Sequence, residues 1–149
     1  MAKPVASPVV PASNLAGYSG TPLSKKLGVN PNSTVALIGA PNDFEKTLGA
    51  LPEGVKLKKR ADRACDLIIW FVRTRAELYD RIKEMSQLTG AAGVAGLWIA
   101  WPKRASGVAS DMTENVARET GLASGLVDYK ICAIDATWSG LKFARRKTK

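Results

Sequence analysis

The chain has 149 residues, of which 46% are hydrophobic and 23% charged, as in an ordinary single globular domain. It has no histidine and only two cysteines, which excludes Ser-His-Asp triads and histidine metal sites and leaves too few ligands for a structural zinc site. No apolar run approaches the roughly 20 residues that span a bilayer, and three prolines among the first 11 residues interrupt any signal-peptide core, so we expect a cytoplasmic protein with no metal.

The first 16 residues are rich in Pro, Ala, Ser and Val and carry one charge, which predicts a flexible tail before a single domain over residues 17–147. Thr21 and Pro22 predict the start of a short helix that Gly28 ends. The apolar run 34–40 predicts a buried strand, and a short helix over 44–51 follows.

Residues 55–60 alternate apolar and basic side chains, which predicts a half-exposed edge strand. Residues 66–72 predict a second buried strand very soon afterwards, although a parallel crossover normally needs about a dozen residues or more. Either 55–60 is a short edge strand with an extended return, or it is not a regular parallel strand. Apolar residues at helical spacing then predict a helix over 75–88.

Residues 97–101 predict a strand that runs into a basic Gly/Ser loop, 102–110. Asp111 or Ser110 is expected to cap the next helix, with Glu114 completing a capping box and the helix ending near 121–125. A strand over 126–135, a turn over 137–140 and a terminal antiparallel strand over 141–146 follow, and we expect this last strand at a sheet edge. The order predicts a three-layer Rossmann-like α/β domain with a mostly parallel sheet and a C-terminal antiparallel strand pair.

The carboxyl ends of three predicted strands carry cations, hydroxyls, a carboxylate and an aromatic ring. Ligands of open α/β sheets bind at that edge, and guanidinium groups and helix N-termini favour phosphates and carboxylates. The predicted anion-binding residues are Arg73, Arg75, Lys103, Arg104, Ser106, Gly107, Asp135 and Trp138. Of the tryptophans, Trp70 and Trp98 are expected in the core, whereas Trp101 and Trp138 at strand ends are candidate surface groups.

The usual marks of a nucleotide cofactor are missing. The first strand ends in Gly-Ala-Pro-Asn over 39–42 instead of G-x-G-x-x-G, and 58–60 is Lys-Lys-Arg where an acidic residue would hold a ribose. There is no P-loop and no catalytic constellation, since Asp111 and Glu114 are explained as a cap and Asp135 stands alone. We therefore expect no cofactor and no catalytic residue.

Three segments together resemble the bacterial family called domain of unknown function 3052. They are GYSGTPLSKKLG at 17–28, WPKRASGVASDMTENV at 101–116 and DATWSGLKFARR at 135–146. The resemblance covers about residues 17–146 and implies one folded unit, but no activity and no catalytic residue. More distantly, the strand succession and terminal antiparallel pair are similar to a shortened class I methyltransferase sheet without its Gly-rich loop and ribose acid.

These features favour a non-catalytic cytoplasmic binding or regulatory domain that recognises an anionic small molecule, a nucleotide or an acidic partner surface. One alternative is a degenerate or unusual methyltransferase-like enzyme, which predicts a deep pocket reaching residues 39–42. A second alternative is nucleic-acid binding, because the net charge is +9 and basic residues are dense over 56–63 and 142–149. The sequence leaves the oligomeric state open.

Overall fold

The computed structural model describes residues 22–90 and 93–147, so the predicted tail and the Thr21 cap lie outside the described residues. The elements in chain order are α1 (Leu23–Lys26), β1 (Thr34–Ile38), α2 (Phe44–Leu48), β2 (Lys56–Lys58), β3 (Leu67–Phe71), α3 (Arg75–Leu88), β4 (Gly96–Pro102), α4 (Glu114–Ala123), β5 (Leu126–Ala133) and β6 (Trp138–Arg145). A short 3-10 turn, Arg104–Ser106, lies between β4 and α4.

The strands form one six-stranded sheet in the order β2-β1-β3-β4-β6-β5. Strands β2, β1, β3 and β4 are parallel, and β6 is antiparallel to both β4 and β5. Every residue of β3 and β4 is buried, because helices cover both faces of a parallel sheet and its central strands are therefore apolar throughout. The predicted Rossmann-like α/β fold with a C-terminal antiparallel pair is confirmed.

The short return from β2 to β3 resolves the difficulty at residues 55–60. β2 is an edge strand parallel to β1, with Lys58 level with Ala36. At the start of β3, the Asp66 amide donates to the Thr34 carbonyl at 2.8 Å, and the Thr34 amide donates to Asp66 Oδ2 at 2.8 Å. Because Leu67, the first residue of β3, is level with Val35, the return from β2 descends by only one residue along β1, and a full crossover helix is unnecessary.

The terminal hairpin differs from the prediction in its turn and its edge. Asp135 Oδ1 accepts hydrogen bonds from the amides of Thr137 and Trp138, both at 2.8 Å, so the chain turns before Trp138 and β6 starts there. β6 lies between β4 and β5, and β5 forms the edge of the sheet. The expected edge position of residues 141–146 is therefore wrong.

The core has two halves, one on each face of the sheet. On one face α3 and α4 cover a cluster that includes Leu78, Met85 and Phe143, and on the other α1 and α2 cover one that includes Leu27 and Trp98. Gly121 of α4 lies directly against the Phe143 ring, where a methyl group would overlap it.

All four tryptophans are buried. Trp70 and Trp98 are core residues as predicted, whereas the predicted surface position of Trp101 and Trp138 is wrong, since they are 5% and 4% exposed. Trp138 packs edge-on against Phe71, with ring centroids 5.0 Å apart.

The two long helices begin at threonine caps. Thr74 and Glu77 form a capping box at α3, whose predicted bounds are confirmed. At α4 the cap is Thr113, whose hydroxyl accepts from the Val116 amide, so the predicted cap at Asp111 or Ser110 is wrong. Within the described ranges, no helix is long and apolar enough to cross a membrane.

Candidate functional site

The carboxyl ends of the parallel strands form one edge of the sheet, and the chain changes direction there. β2 lies on one side of β1, whereas β3 and β4 lie on the other. Such a switch in strand order opens a crevice outside the carboxyl ends, where ligands bind in open α/β sheets. Two clefts lie at this edge, and we call them the first and the second cleft.

The first cleft lies between the turn after β1, the start of α2 and the end of β2. Its volume is about 290 Å³, close to the lower end for small-molecule pockets. It is lined by Leu37, Gly39, Ala40, Pro41, Asn42, Phe44, Glu45, Leu57, Lys58 and Lys59. Apolar side chains thus meet an amide, a carboxylate and two ammonium groups.

Gly39 sets the shape of the turn after β1. Its φ of +70° is left-handed, and a Cβ at this position would lie 2.9 Å from the Phe71 carbonyl oxygen, so a larger residue would be both strained and crowded. Its own carbonyl accepts a hydrogen bond from Arg73 Nη1 at 3.1 Å. A single glycine and an arginine from the segment after β3 therefore hold this turn in place.

The basic end of β2 is less cationic than its sequence indicates. Lys58 Nζ lies 2.7 Å from Asp62 Oδ2. This hydrogen bond raises the pKa of Lys58 and lowers the pKa of Asp62, so both side chains are charged and balance each other at neutral pH. Lys59 and Glu45 then contribute one charge of each sign to the first cleft.

The second cleft lies beside the loop between β4 and α4 and has a volume of about 500 Å³. It is lined by Arg75, Pro102, Lys103, Arg104, Gly107, Val108, Ala109, Ser110, Asp111, Met112 and Thr113. Gly107 adopts a φ of +81°, which turns the chain back after the 3-10 turn. The loop thus forms most of the wall of the cleft.

Two residues hold this loop against the start of α3. Asp111 Oδ1 accepts from the Arg75 amide at 2.8 Å, and Arg75 Nε donates to the Asp111 carbonyl at 2.9 Å. The Ser110 hydroxyl donates to the Arg73 carbonyl at 2.7 Å. The Asp111 carboxylate therefore occupies the positive end of the α3 dipole, which explains why it does not cap its own helix.

The eight predicted binding residues divide into two groups. Arg75, Lys103, Arg104 and Gly107 meet at the second cleft. Arg73 lies next to them along the edge, with its guanidinium carbon 5.0 Å from the centre of the Trp138 ring.

The other three serve local structure. The Ser106 hydroxyl donates to the Lys103 carbonyl at 2.6 Å and accepts from the Val108 amide at 3.2 Å. Asp135 holds the hairpin turn, and Trp138 is buried.

Sequence reasoning missed Glu45, and it named Asn42 only as part of the pocket at residues 39–42 that the methyltransferase-like alternative predicts. Asn42 lies between β1 and α2, and Glu45 lies in the first turn of α2. This part of the chain faces the ligand crevice of a Rossmann-like sheet. An acid was expected only at the end of the second strand, whereas Glu45 of α2 brings a carboxylate to the same cleft. The strand-turn-helix pattern around residues 39–45 was the available clue.

Neither thiol is an activated nucleophile. Burial raises the pKa of Cys65 and of Cys132, so both remain protonated near neutral pH. Both cysteines are free. Across residues 22–90 and 93–147, no group of three or more Cys, Asp or Glu side chains is placed to hold a metal ion.

Much of the C-terminal basic segment binds helix ends. Arg145 donates to the Ser86 and Thr89 carbonyls at the end of α3, Arg146 donates to the Leu122 carbonyl of α4 at 2.9 Å, and Lys142 Nζ lies 3.4 Å from the Leu27 carbonyl after α1. Cations at helix C-termini complement the helix dipole. These three charges therefore have intramolecular partners, which reduces the surface that the nucleic-acid alternative needs.

Comparison with known proteins bears on the fold. No family model and no curated protein matches the sequence. A SAM-dependent methyltransferase from Aquifex aeolicus matches with a TM-score of 0.56 and 15% identity, covering 89% of this chain and 93% of that one. Magnesium protoporphyrin IX methyltransferase from Synechocystis PCC 6803, solved with bound SAM, gives a TM-score of 0.51 and 9% identity over 83% of this chain and 74% of that one.

A protein in the NADB-Rossmann superfamily from Streptococcus agalactiae gives a TM-score of 0.52 and 10% identity, with 89% of this chain and 71% of that one covered. The interpretation as a non-catalytic binding or regulatory domain is wrong on this comparison, because SAM-dependent methyltransferases are among the structures that match most of the chain. The findings favour the methyltransferase-like alternative. At these identities they show the fold: a six-stranded Rossmann-like α/β sheet similar to that of SAM-dependent methyltransferases.

Proposed function

We propose that this chain is a methyltransferase-like enzyme and that the first cleft binds the nucleoside part of S-adenosylmethionine (SAM). The observation that carries the proposal is the first cleft itself, which lies at the turn after β1 and includes the Glu45 carboxylate. The methyltransferase-like alternative predicted a deep pocket reaching residues 39–42. The first cleft reaches these residues with a volume of about 290 Å³, and the fold likeness supports the same function.

The chemistry of the first cleft suits a nucleoside. Ribose hydroxyls need an acceptor, which Glu45 supplies from α2 in place of an acid at the end of β2. Leu37 and Leu57 offer apolar surface to a base, and the Asn42 amide offers both a donor and an acceptor. The Lys58–Asp62 ion pair removes much of the repulsion that a cationic ligand would otherwise meet.

The roles of the residues follow from these positions. Glu45 and Asn42 bind and orient the nucleoside, and Arg73 keeps the turn after β1 fixed through the Gly39 carbonyl. When bound, SAM supplies an activated methyl group. The chain has no histidine, and burial keeps its two thiols protonated by raising their pKa, so we propose that the acceptor brings a nucleophile that needs no histidine or cysteine base.

The test is isothermal titration calorimetry with SAM and with S-adenosylhomocysteine on the full chain. Glu45→Gln removes a charged acceptor, so we expect about tenfold or greater weakening of binding. The matched control is Glu119→Gln, because Glu119 is exposed on α4 outside both clefts, and it should bind like the wild type. No binding of either compound by the wild type at millimolar concentration, or equal affinity of the Glu45→Gln variant, would refute the proposal.

Two finer assignments accompany this proposal. The bacterial domain of unknown function 3052 family and a cytoplasmic location rest on sequence features alone, and both stay predictions. The family resemblance is supported by the three segments at 17–28, 101–116 and 135–146.

A further inference from the structure

The second cleft carries more positive charge than its surroundings neutralise. Arg75, Lys103 and Arg104 line it, and Asp111 is its only acidic lining residue. The ion pairs among the described residues join Lys58 to Asp62, Arg81 to Glu84, and Arg118 to Glu114 and Asp128. None of the three cations of the cleft takes part in an ion pair within the described part of the chain.

The single carboxylate of the second cleft is already engaged. Asp111 Oδ1 accepts from the Arg75 backbone amide, and the Arg75 Nε–H donates to the Asp111 carbonyl oxygen rather than to the carboxylate. The amino end of α3 is thus closed to a ligand by the protein's own carboxylate. An anion in this cleft would be bound by side chains, chiefly those of Lys103 and Arg104.

Hydrogen bonds fix the backbone that carries these two cations. The Lys103 amide donates to the Thr137 carbonyl at 2.7 Å, which ties the start of the loop to the β5–β6 hairpin. Arg104 follows in the 3-10 turn, which the Ser106 hydroxyl closes onto the Lys103 carbonyl. Two cations positioned by an ordered backbone lose less conformational freedom on binding than the same charges on a mobile loop would.

We infer that the second cleft binds the acceptor molecule of the proposed methyl transfer through a phosphate or carboxylate group that contacts Lys103 and Arg104. The inference rests on the proposed function, since it assigns the partner of the first cleft. The cleft volume of about 500 Å³ admits a small molecule. A charged carboxylate oxygen would also meet the requirement for an acceptor that needs no deprotonation by histidine or cysteine.

The test follows backbone amide resonances of the full chain by NMR during titration with inorganic phosphate and, separately, with acetate at constant ionic strength. Saturable shifts at residues 103–113 with either anion are expected, and the stronger response identifies the group that the cleft prefers. Lys103→Ala/Arg104→Ala should weaken this binding about tenfold or more, since charge-assisted contacts are lost. Lys46→Ala/Lys83→Ala, which removes two exposed charges outside the second cleft, should leave it unchanged.

S-adenosylhomocysteine binding, measured on the same four-protein set of wild type, cleft variant, control variant and Glu45→Gln, separates the two proposals. The inference is supported if the Lys103→Ala/Arg104→Ala variant still binds S-adenosylhomocysteine but no longer binds the anion. Non-saturable shifts, or equal anion affinity in the cleft and control variants, would overturn the inference about the second cleft. The proposal that the first cleft binds SAM would be unaffected. Saturable anion binding by a wild type that binds neither SAM nor S-adenosylhomocysteine would overturn the acceptor role together with the proposed function.

Discussion

Asp135→Ala should destabilise the domain, because this carboxylate holds the turn that starts β6. Its Oδ1 accepts from the Thr137 and Trp138 amides, both at 2.8 Å. Each partly buried hydrogen bond contributes about 1 kcal/mol net, so we expect a loss of about 2 kcal/mol in the free energy of unfolding. With an unfolding entropy of about 2.1 cal/mol/K per residue, a chain of 149 residues should then unfold about 6 °C lower.

The assay is thermal unfolding followed by circular dichroism, together with urea titration. Asp135→Asn is the matched variant, because its amide oxygen still accepts from both backbone amides, and it should lose less than half as much stability. If Asp135→Ala shifted Tm by less than 1 °C, or if the asparagine variant were equally damaged, the carboxylate would not hold the turn as the geometry indicates.

Three further changes test the packing, the helix ends and the thiols. Gly121→Ala should lower the free energy of unfolding, measured by urea titration, by about 1–2 kcal/mol. Overlap of the new methyl group with the buried Phe143 ring outweighs the roughly 1 kcal/mol gain in helix propensity. A more stable variant would contradict this packing. Arg145→Met should lower the free energy of unfolding by about 2 kcal/mol, because two helix-end carbonyls lose a charged donor. The control is Arg104→Met, which removes an exposed cation. The prediction fails if this control lowers the free energy of unfolding as much. Burial raises the folded-state pKa of both thiols, so folding disfavours the thiolates and stability should fall as the pH rises through the unfolded thiol pKa of about 8.5. Cys65→Ala/Cys132→Ala should flatten that fall between about pH 8 and 10, and an unchanged pH slope would count against the burial effect.

Hydrophobic periodicity predicted much of the fold from local sequence. The helix over 75–88 has its observed bounds because Leu78, Ile82 and Met85 recur on one face and are buried there. The buried strands β1 and β3 were predicted from apolar runs. The structure shortens β1 at its carboxyl end and β3 by one residue at each end. Periodicity works for these elements because their burial depends on their own residues.

Local sequence did not predict features set by contacts between distant residues. Residues 137–140 have the composition of a turn, yet the Asp135 carboxylate places the turn earlier and makes Trp138 the first residue of β6. Asp111 has the position of a helix cap, but it binds the Arg75 amide instead. In both cases the choice between neighbouring polar residues depends on which backbone amide lies within reach in three dimensions.

The candidate site shows the same division. The strand order brings Arg75, Lys103 and Arg104 to one cleft, as their places after strands predicted. The Rossmann motif concerns only whether the second strand ends in an acidic residue. It therefore did not predict that Asp62 would neutralise Lys58. The pairing reduces the positive charge at the end of β2, whereas the Gly-rich loop and an acid at the end of that strand are still absent.

Arg73 connects the two clefts physically. Its guanidinium donates to the Gly39 carbonyl in the wall of the first cleft, while its backbone carbonyl accepts from the Ser110 hydroxyl in the wall of the second. Between these contacts the guanidinium lies over the buried Trp138 ring, which limits its freedom to move. Arg73, just after β3, thus contacts the walls of both clefts along the same sheet edge, an arrangement that the proposed transfer between two separately bound molecules would require.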